Sequence, residues 1–170
     1  MNINFIRKVI REFDRYYITE VTSEREIFGV ISKDGKILAS KEGESKYVPS
    51  PLECIIDMNI SSIKSIYATF HTHPEEVIPT SSCSDRRFFS CLLLEEKWAK
   101  SWKSNEPFAN IITQKLHIHF IFSSRYVLVW ENGKEEWFDY QGNVLKNFDA
   151  LWEKLEPTRI NDRALLHLWN

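Results

Sequence analysis

Cysteine is scarce in this chain, and the three that occur, Cys54, Cys83 and Cys91, are odd in number and form no Cys-x-x-Cys pair. That argues against a disulfide framework and against a thiolate zinc knot, and it points to a reducing compartment. Long apolar runs are lacking too: nothing approaches the ~20 residues that a membrane-spanning helix needs. The first residues are interrupted by Arg7, Lys8, Arg11 and Asp14, so no signal peptide is expected and the protein is assigned to the cytoplasm. Excess positive charge is missing as well. With a net charge of −2 and no long basic run, the electrostatic footprint of a nucleic-acid partner is absent. No internal repeat or low-complexity segment occurs.

What is present is the composition of an ordinary globular core, 43% hydrophobic and 14% aromatic. At 170 residues the chain is expected to be one domain over 1–170, able to bury about two-thirds of its unfolded surface without a metal or disulfide to hold it. Phe5, Ile6, Val9, Ile10 and Phe13 recur at helical spacing, which predicts an amphipathic helix over 4–15. Tyr16–Val21 alternates and is rich in β-formers, and it is expected to be a strand. Strands are also expected at Glu26–Ile31 and Ile37–Ser40 around the turn Lys33-Asp-Gly-Lys36, then at Ser65–Phe70, Ile111–Ile112, Leu116–Phe122 and Arg125–Trp130. Glu131-Asn-Gly-Lys134 is a hairpin signal leading to Trp137 and Tyr140. The polar stretch 41–51 reads as a surface loop and Leu52–Ile60 as a short helix. An apolar helix is expected over 85–98, and residues 142–170 form a helical extension led by Val144, Leu145, Phe148, Leu151, Trp152 and Leu155. The fold class is therefore mixed α/β, a curved mixed sheet flanked by helices.

The chain is organised around the stretch from Tyr67 to Asp85. His71 and His73 are two apart at the end of a β-patterned run, so their imidazoles project to the same side. Pro74 and Pro79 stiffen the connection out of that run, Ser82 is placed to cap the next helix, and Asp85 falls in its first turn. Two imidazoles and one carboxylate, with a fourth position open to water, are the ligands expected of a catalytic Zn²⁺. The plain alternative is an exposed strand end and then a helix cap; what favours the metal is the two features together. Cys83 lies in the same stretch, but no neighbouring pattern singles it out as a nucleophile. A second pair, His117-Ile-His119, sits mid-strand with no proline after it and no aspartate at the matching spacing, and is assigned to a sheet face.

His71-Thr-His73-Pro74 and then Ser82-x-x-Asp85, with Glu26-Ile-Phe-Gly29 upstream, resembles the signature of the JAB/MPN metalloproteases, the JAMM family. Eight residues separate His73 from Ser82, where that family typically has seven. A one-residue insertion in 75–81 accommodates this, whereas taking Ser81 as the motif serine would put Ser84 at the aspartate position. The resemblance spans roughly residues 15–130 and implies a cytidine-deaminase-like JAB/MPN architecture. It further implies that His71, His73 and Asp85 hold Zn²⁺, and that Glu26 takes a proton from the attacking water and passes it to the leaving amine. Ser82 would donate to the oxyanion. The activity so implied is a zinc-dependent peptidase or isopeptidase acting on the C-terminal tail of a ubiquitin-like protein, the setting a bacterial antiviral defence system. In such a reading the loop 41–50 is a candidate to face the substrate, the plain alternative being a connector. Two alternatives stand beside it: a catalytically inactive MPN-like binding scaffold, and a RadC-like DNA-associated protein, which the charge balance does not favour.

Overall fold

The computed structural model describes residues 1–20, 25–43, 54, 58–74, 76, 78–81 and 118–146. Asn2 opens the first helix, α1 (Ile3–Glu20), by accepting the Phe5 N–H on its side-chain oxygen at 3.2 Å. One face of α1 carries the buried side chains Phe5, Ile6, Val9, Ile10 and Phe13, as the spacing predicts. The helix does not stop there. Tyr16–Glu20, expected as a strand, continues α1. Tyr16 comes three positions after Phe13, so it extends the inward stripe, and its hydroxyl is bonded to Ser40 Oγ at 2.5 Å. Packing along the helix overrides the local preference of a Tyr- and Ile-rich run for strand.

Among the described residues there are six strands: β1 (Ile27–Ser32), β2 (Ile37–Glu42), β3 (Ile66–His73), β4 (Ile118–Ser123), β5 (Tyr126–Glu131) and β6 (Lys134–Asp139). They form one mixed sheet in the order β2-β1-β3-β4-β5-β6, in which β3 and β4 pair in parallel and the other neighbours are antiparallel. The β1–β2 turn is held by Ser32, whose hydroxyl is bonded to Asp34 and whose Oγ accepts the Lys36 N–H. The Glu131–Lys134 hairpin turns on Asn132 (φ 51°) and Gly133 (φ 82°), the two left-handed positions that an Asn-Gly pair supplies. A short helix, α2 (Ile60–Ser65), leads into β3, and Asn59 caps it by accepting the Ser62 N–H at 2.9 Å. Met58 and Asn59 are not helical, so the expected helix over 52–60 does not run unbroken, although Cys54 is helical. The strand expected to end at Phe70 runs on to His73.

Alternation along the strands separates two cores. Ile31, Ala68, Phe70, Phe120, Phe122, Val127, Val129 and Phe138 face α1 and bury its apolar stripe. Phe13 stacks on Phe122 at 3.6 Å between centroids and meets Phe70 edge-on at 5.4 Å. Phe28, Val30, Cys54, Ile66, Ile121, Leu128 and Trp130 form the core of the other face. Val144, expected to begin a helix, instead bridges to Phe138, and the Leu145 N–H donates to the Trp137 carbonyl at 2.9 Å. The pairing of β6 is thus prolonged past its turn. The expected strand at 111–112, the helix over 85–98 and the chain beyond 146 lie outside the described residues, as do Cys83, Cys91 and His117. Among the described residues no helix is long and apolar enough to cross a membrane.

Candidate metal centre

β3 pairs with β4 in parallel, Thr69 opposite His119 and His71 opposite Ile121, so Thr69, His71, His73 and His119 project from one face of two adjacent strands. That face is the one opposite α1. All four are buried, His71 at 4% exposure, His73 at 9% and His119 and Thr69 at 0%. Buried polar groups need partners, and here they find each other in a chain. Thr69 Oγ1 lies 2.5 Å from His119 Nδ1, and His119 Nε2 lies 2.6 Å from His71 Nδ1. His71 Nε2 then meets His73 Nε2 at 2.9 Å, and His73 Nδ1 meets Glu76 Oε2 at 3.1 Å.

Glu76 is held by its own backbone. The turn after β3 closes when the Glu76 N–H donates to the His73 carbonyl at 3.1 Å, and the Glu76 carbonyl accepts from both the N–H and the hydroxyl of Ser124. Its Oε2 also accepts the Thr80 N–H at 3.0 Å. The same segment is fastened to β6, where Trp137 Nε1 donates to the Pro79 carbonyl at 3.0 Å and Ser81 Oγ to Glu135 Oε1 at 3.1 Å. Ser81 therefore turns its hydroxyl to β6. Ser82 and Asp85, the expected oxyanion donor and third ligand, lie outside the described residues.

Glu26 immediately precedes β1. Phe28 pairs with His71, and the Ile27 N–H donates to Thr72 Oγ1 at 2.9 Å, so the register continued by two residues brings Glu26 opposite His73. Its carbonyl accepts the Gly43 N–H at 2.8 Å, which holds the backbone in the ladder with the segment after β2. Alternation puts Glu26 on the face of Phe28, the histidine face. Gly29, the glycine of the Glu-x-x-Gly pattern, is explained by packing: a Cβ there would lie 2.2 Å from Phe70 Cε1 and 2.4 Å from Phe70 Cζ.

The donor set can be tested against a divalent cation. Zinc–imidazole bonds of about 2.0–2.1 Å at a tetrahedral angle separate two ligand nitrogens by about 3.3 Å. The 2.9 Å between the two Nε2 atoms needs to open by only a few tenths of an ångström. Each ring meanwhile has its Nδ1 engaged by a second group, His119 or Glu76, the outer partners that metal-bound histidines use. The pair fits. His119 is not a third ligand, because its two nitrogens face His71 and Thr69. Among the described residues no three His, Cys, Asp or Glu side chains form a finished cage. A cavity of about 250 Å³ bordered by Phe13, Thr72, Pro74, Phe122 and Tyr140 belongs to the α1 side of β3, since Thr72 alternates with the histidines.

Of the residues singled out by pattern, the fold brings His71 and His73 into contact and sets Glu26 on the same face. His119 lies on a sheet face as its strand pattern predicts, but its contact with His71 has no sign in the sequence. Nor does the pattern give Glu76 a role. An acidic residue three positions after a histidine is the available sign for Glu76, whereas nothing in either segment announces that β4 pairs with β3. Compared with known proteins, the chain matches no family model, no curated protein and no solved structure.

Proposed function

We propose that this protein is a zinc-dependent peptidase or isopeptidase that acts on the C-terminal tail of a ubiquitin-like protein, within a cytidine-deaminase-like JAB/MPN architecture. The observation that carries the reading is the pair of Nε2 atoms 2.9 Å apart on β3, each on a ring whose Nδ1 is held by another side chain. His71 and His73 would hold the cation together with Asp85. Zinc with an open coordination position supplies a nucleophile near neutral pH and polarises a carbonyl.

The chain's own groups do the rest. Glu26, opposite His73 in the continued register, takes the proton of the attacking water and returns it to the leaving amine, a shuttle that a fixed carboxylate performs. Ser82 donates to the developing oxyanion. An extended tail that pairs with an edge of the sheet would suit such a substrate. The test is hydrolysis of a ubiquitin-like precursor carrying residues beyond its terminal glycine. Wild type with zinc should cleave it, and Glu26→Gln should lose about 10²- to 10⁴-fold in rate while retaining zinc. Undiminished cleavage by Glu26→Gln would remove Glu26 from the role.

A further inference from the structure

The buried chain Thr69–His119–His71–His73–Glu76 has a direction, because a neutral imidazole owns one N–H and a carboxylate accepts. Glu76 Oε2 already accepts the Thr80 N–H, so His73 donates to it from Nδ1 and its Nε2 is bare. Without a cation, the 2.9 Å contact between the rings then requires the proton of His71 on Nε2. His71 Nδ1 becomes an acceptor, His119 must donate from Nε2, and Thr69 must donate its hydroxyl to His119 Nδ1.

A cation at the two Nε2 atoms is incompatible with that arrangement. His71 Nε2 must give up its proton, and the only ring position left for one is Nδ1, which faces His119 Nε2 at 2.6 Å. His119 then carries its proton on Nδ1 and donates to Thr69 Oγ1, 2.5 Å away. We infer that His119 is a positioning residue that, backed by Thr69, fixes the tautomer of His71, and that cation binding at the Nε2 pair reverses the hydrogen bonds from His71 back to Thr69. His71 and His119 each lose an Nε2 proton and gain one on Nδ1, exchanged through water, so the count on the cluster is unchanged. Only His73 and Glu76 keep their arrangement. The inference rests on the metal reading of His71 and His73, and it gives β4 a part in the site through a residue that touches neither cation nor substrate.

Long-range ¹H–¹⁵N NMR of the imidazole nitrogens of the full chain, before and after addition of Zn²⁺, reads these states directly. The expected result is His71 and His119 protonated on Nε2 without zinc and on Nδ1 with it, while His73 keeps its Nδ1 proton throughout. Zinc titration of two variants supplies the second readout. His119→Leu, which removes the acceptor, should bind zinc about 10- to 100-fold more weakly, and His119→Gln, whose amide oxygen can accept in its place, should recover most of that loss. A wild type whose ring nitrogens do not respond to zinc overturns the metal reading, and this inference with it. Zinc binding at His71 and His73 with His119 unchanged in tautomer, or with His119→Leu binding as tightly as wild type, overturns this inference alone. Should His119→Leu not fold, the wild-type spectra decide.

Discussion

At position 29 a methyl group would collide with the ring of Phe70, which is fully buried between β1 and α1. Gly29→Ala is therefore expected to destabilise the protein by about 1–3 kcal/mol through overpacking, measured as a lower denaturant midpoint with an unchanged slope. The glycine of the Glu-x-x-Gly pattern thus serves the core. Single residues of the site were legible to different degrees. His71 and His73 announced their shared direction because a two-residue spacing on a strand fixes it. His119 carried the same local sign, a histidine in an alternating strand, yet its meaning came from a partner 48 positions earlier, and no local pattern encodes a parallel pairing.

Turns and helix ends show where an element's local chemistry is enough. The Asn132-Gly133 hairpin was readable because both positions need φ > 0. Nothing stands within 4 Å of a Cβ built on Gly133, so Gly133→Ala should lose about 1–2 kcal/mol to backbone strain alone, measurable by thermal unfolding. Gly29→Ala and Gly133→Ala would then be similar in size and different in cause. In the β1–β2 turn, the hydrogen bond from Ser32 holds the Asp34 carboxyl below its ordinary value. A carboxyl lowered on folding contributes stability above its unfolded pKa, and that contribution disappears as pH falls through the lower, folded value. Ser32→Ala should return Asp34 toward the ordinary range in an NMR titration, and the exposed position of the carboxylate keeps the stability change small. One element that sequence misjudged was the C-terminal part of α1. Tyr16–Glu20 has the residues of a strand, but it continues a helix already anchored on the sheet, and the Tyr16–Ser40 contact rewards that continuation.

For the whole molecule, the decisive feature is a sheet with two unlike faces. One is an apolar core covered by α1 through Phe13, Phe70 and Phe122; the other buries three histidines and a threonine beside a second apolar core. Burying that many polar side chains weakens a fold unless they are satisfied together, and on the proposed reading a cation at the Nε2 pair would give the arrangement a purpose beyond packing. The mixed α/β class and the β1–β2 hairpin were readable from periodicity and turn signals. The joining of β3 to β4 came from long-range pairing alone. The central claim is tested most directly by equilibrium zinc binding to the purified full chain, with wild type beside a His71→Ala/His73→Ala double variant. One zinc per chain is expected in wild type, adding about 2.7 kcal/mol to its stability at a hundredfold excess of free zinc over Kd, and neither effect in the double variant. A wild type that takes up no zinc, or a double variant that binds it equally well, would contradict the account.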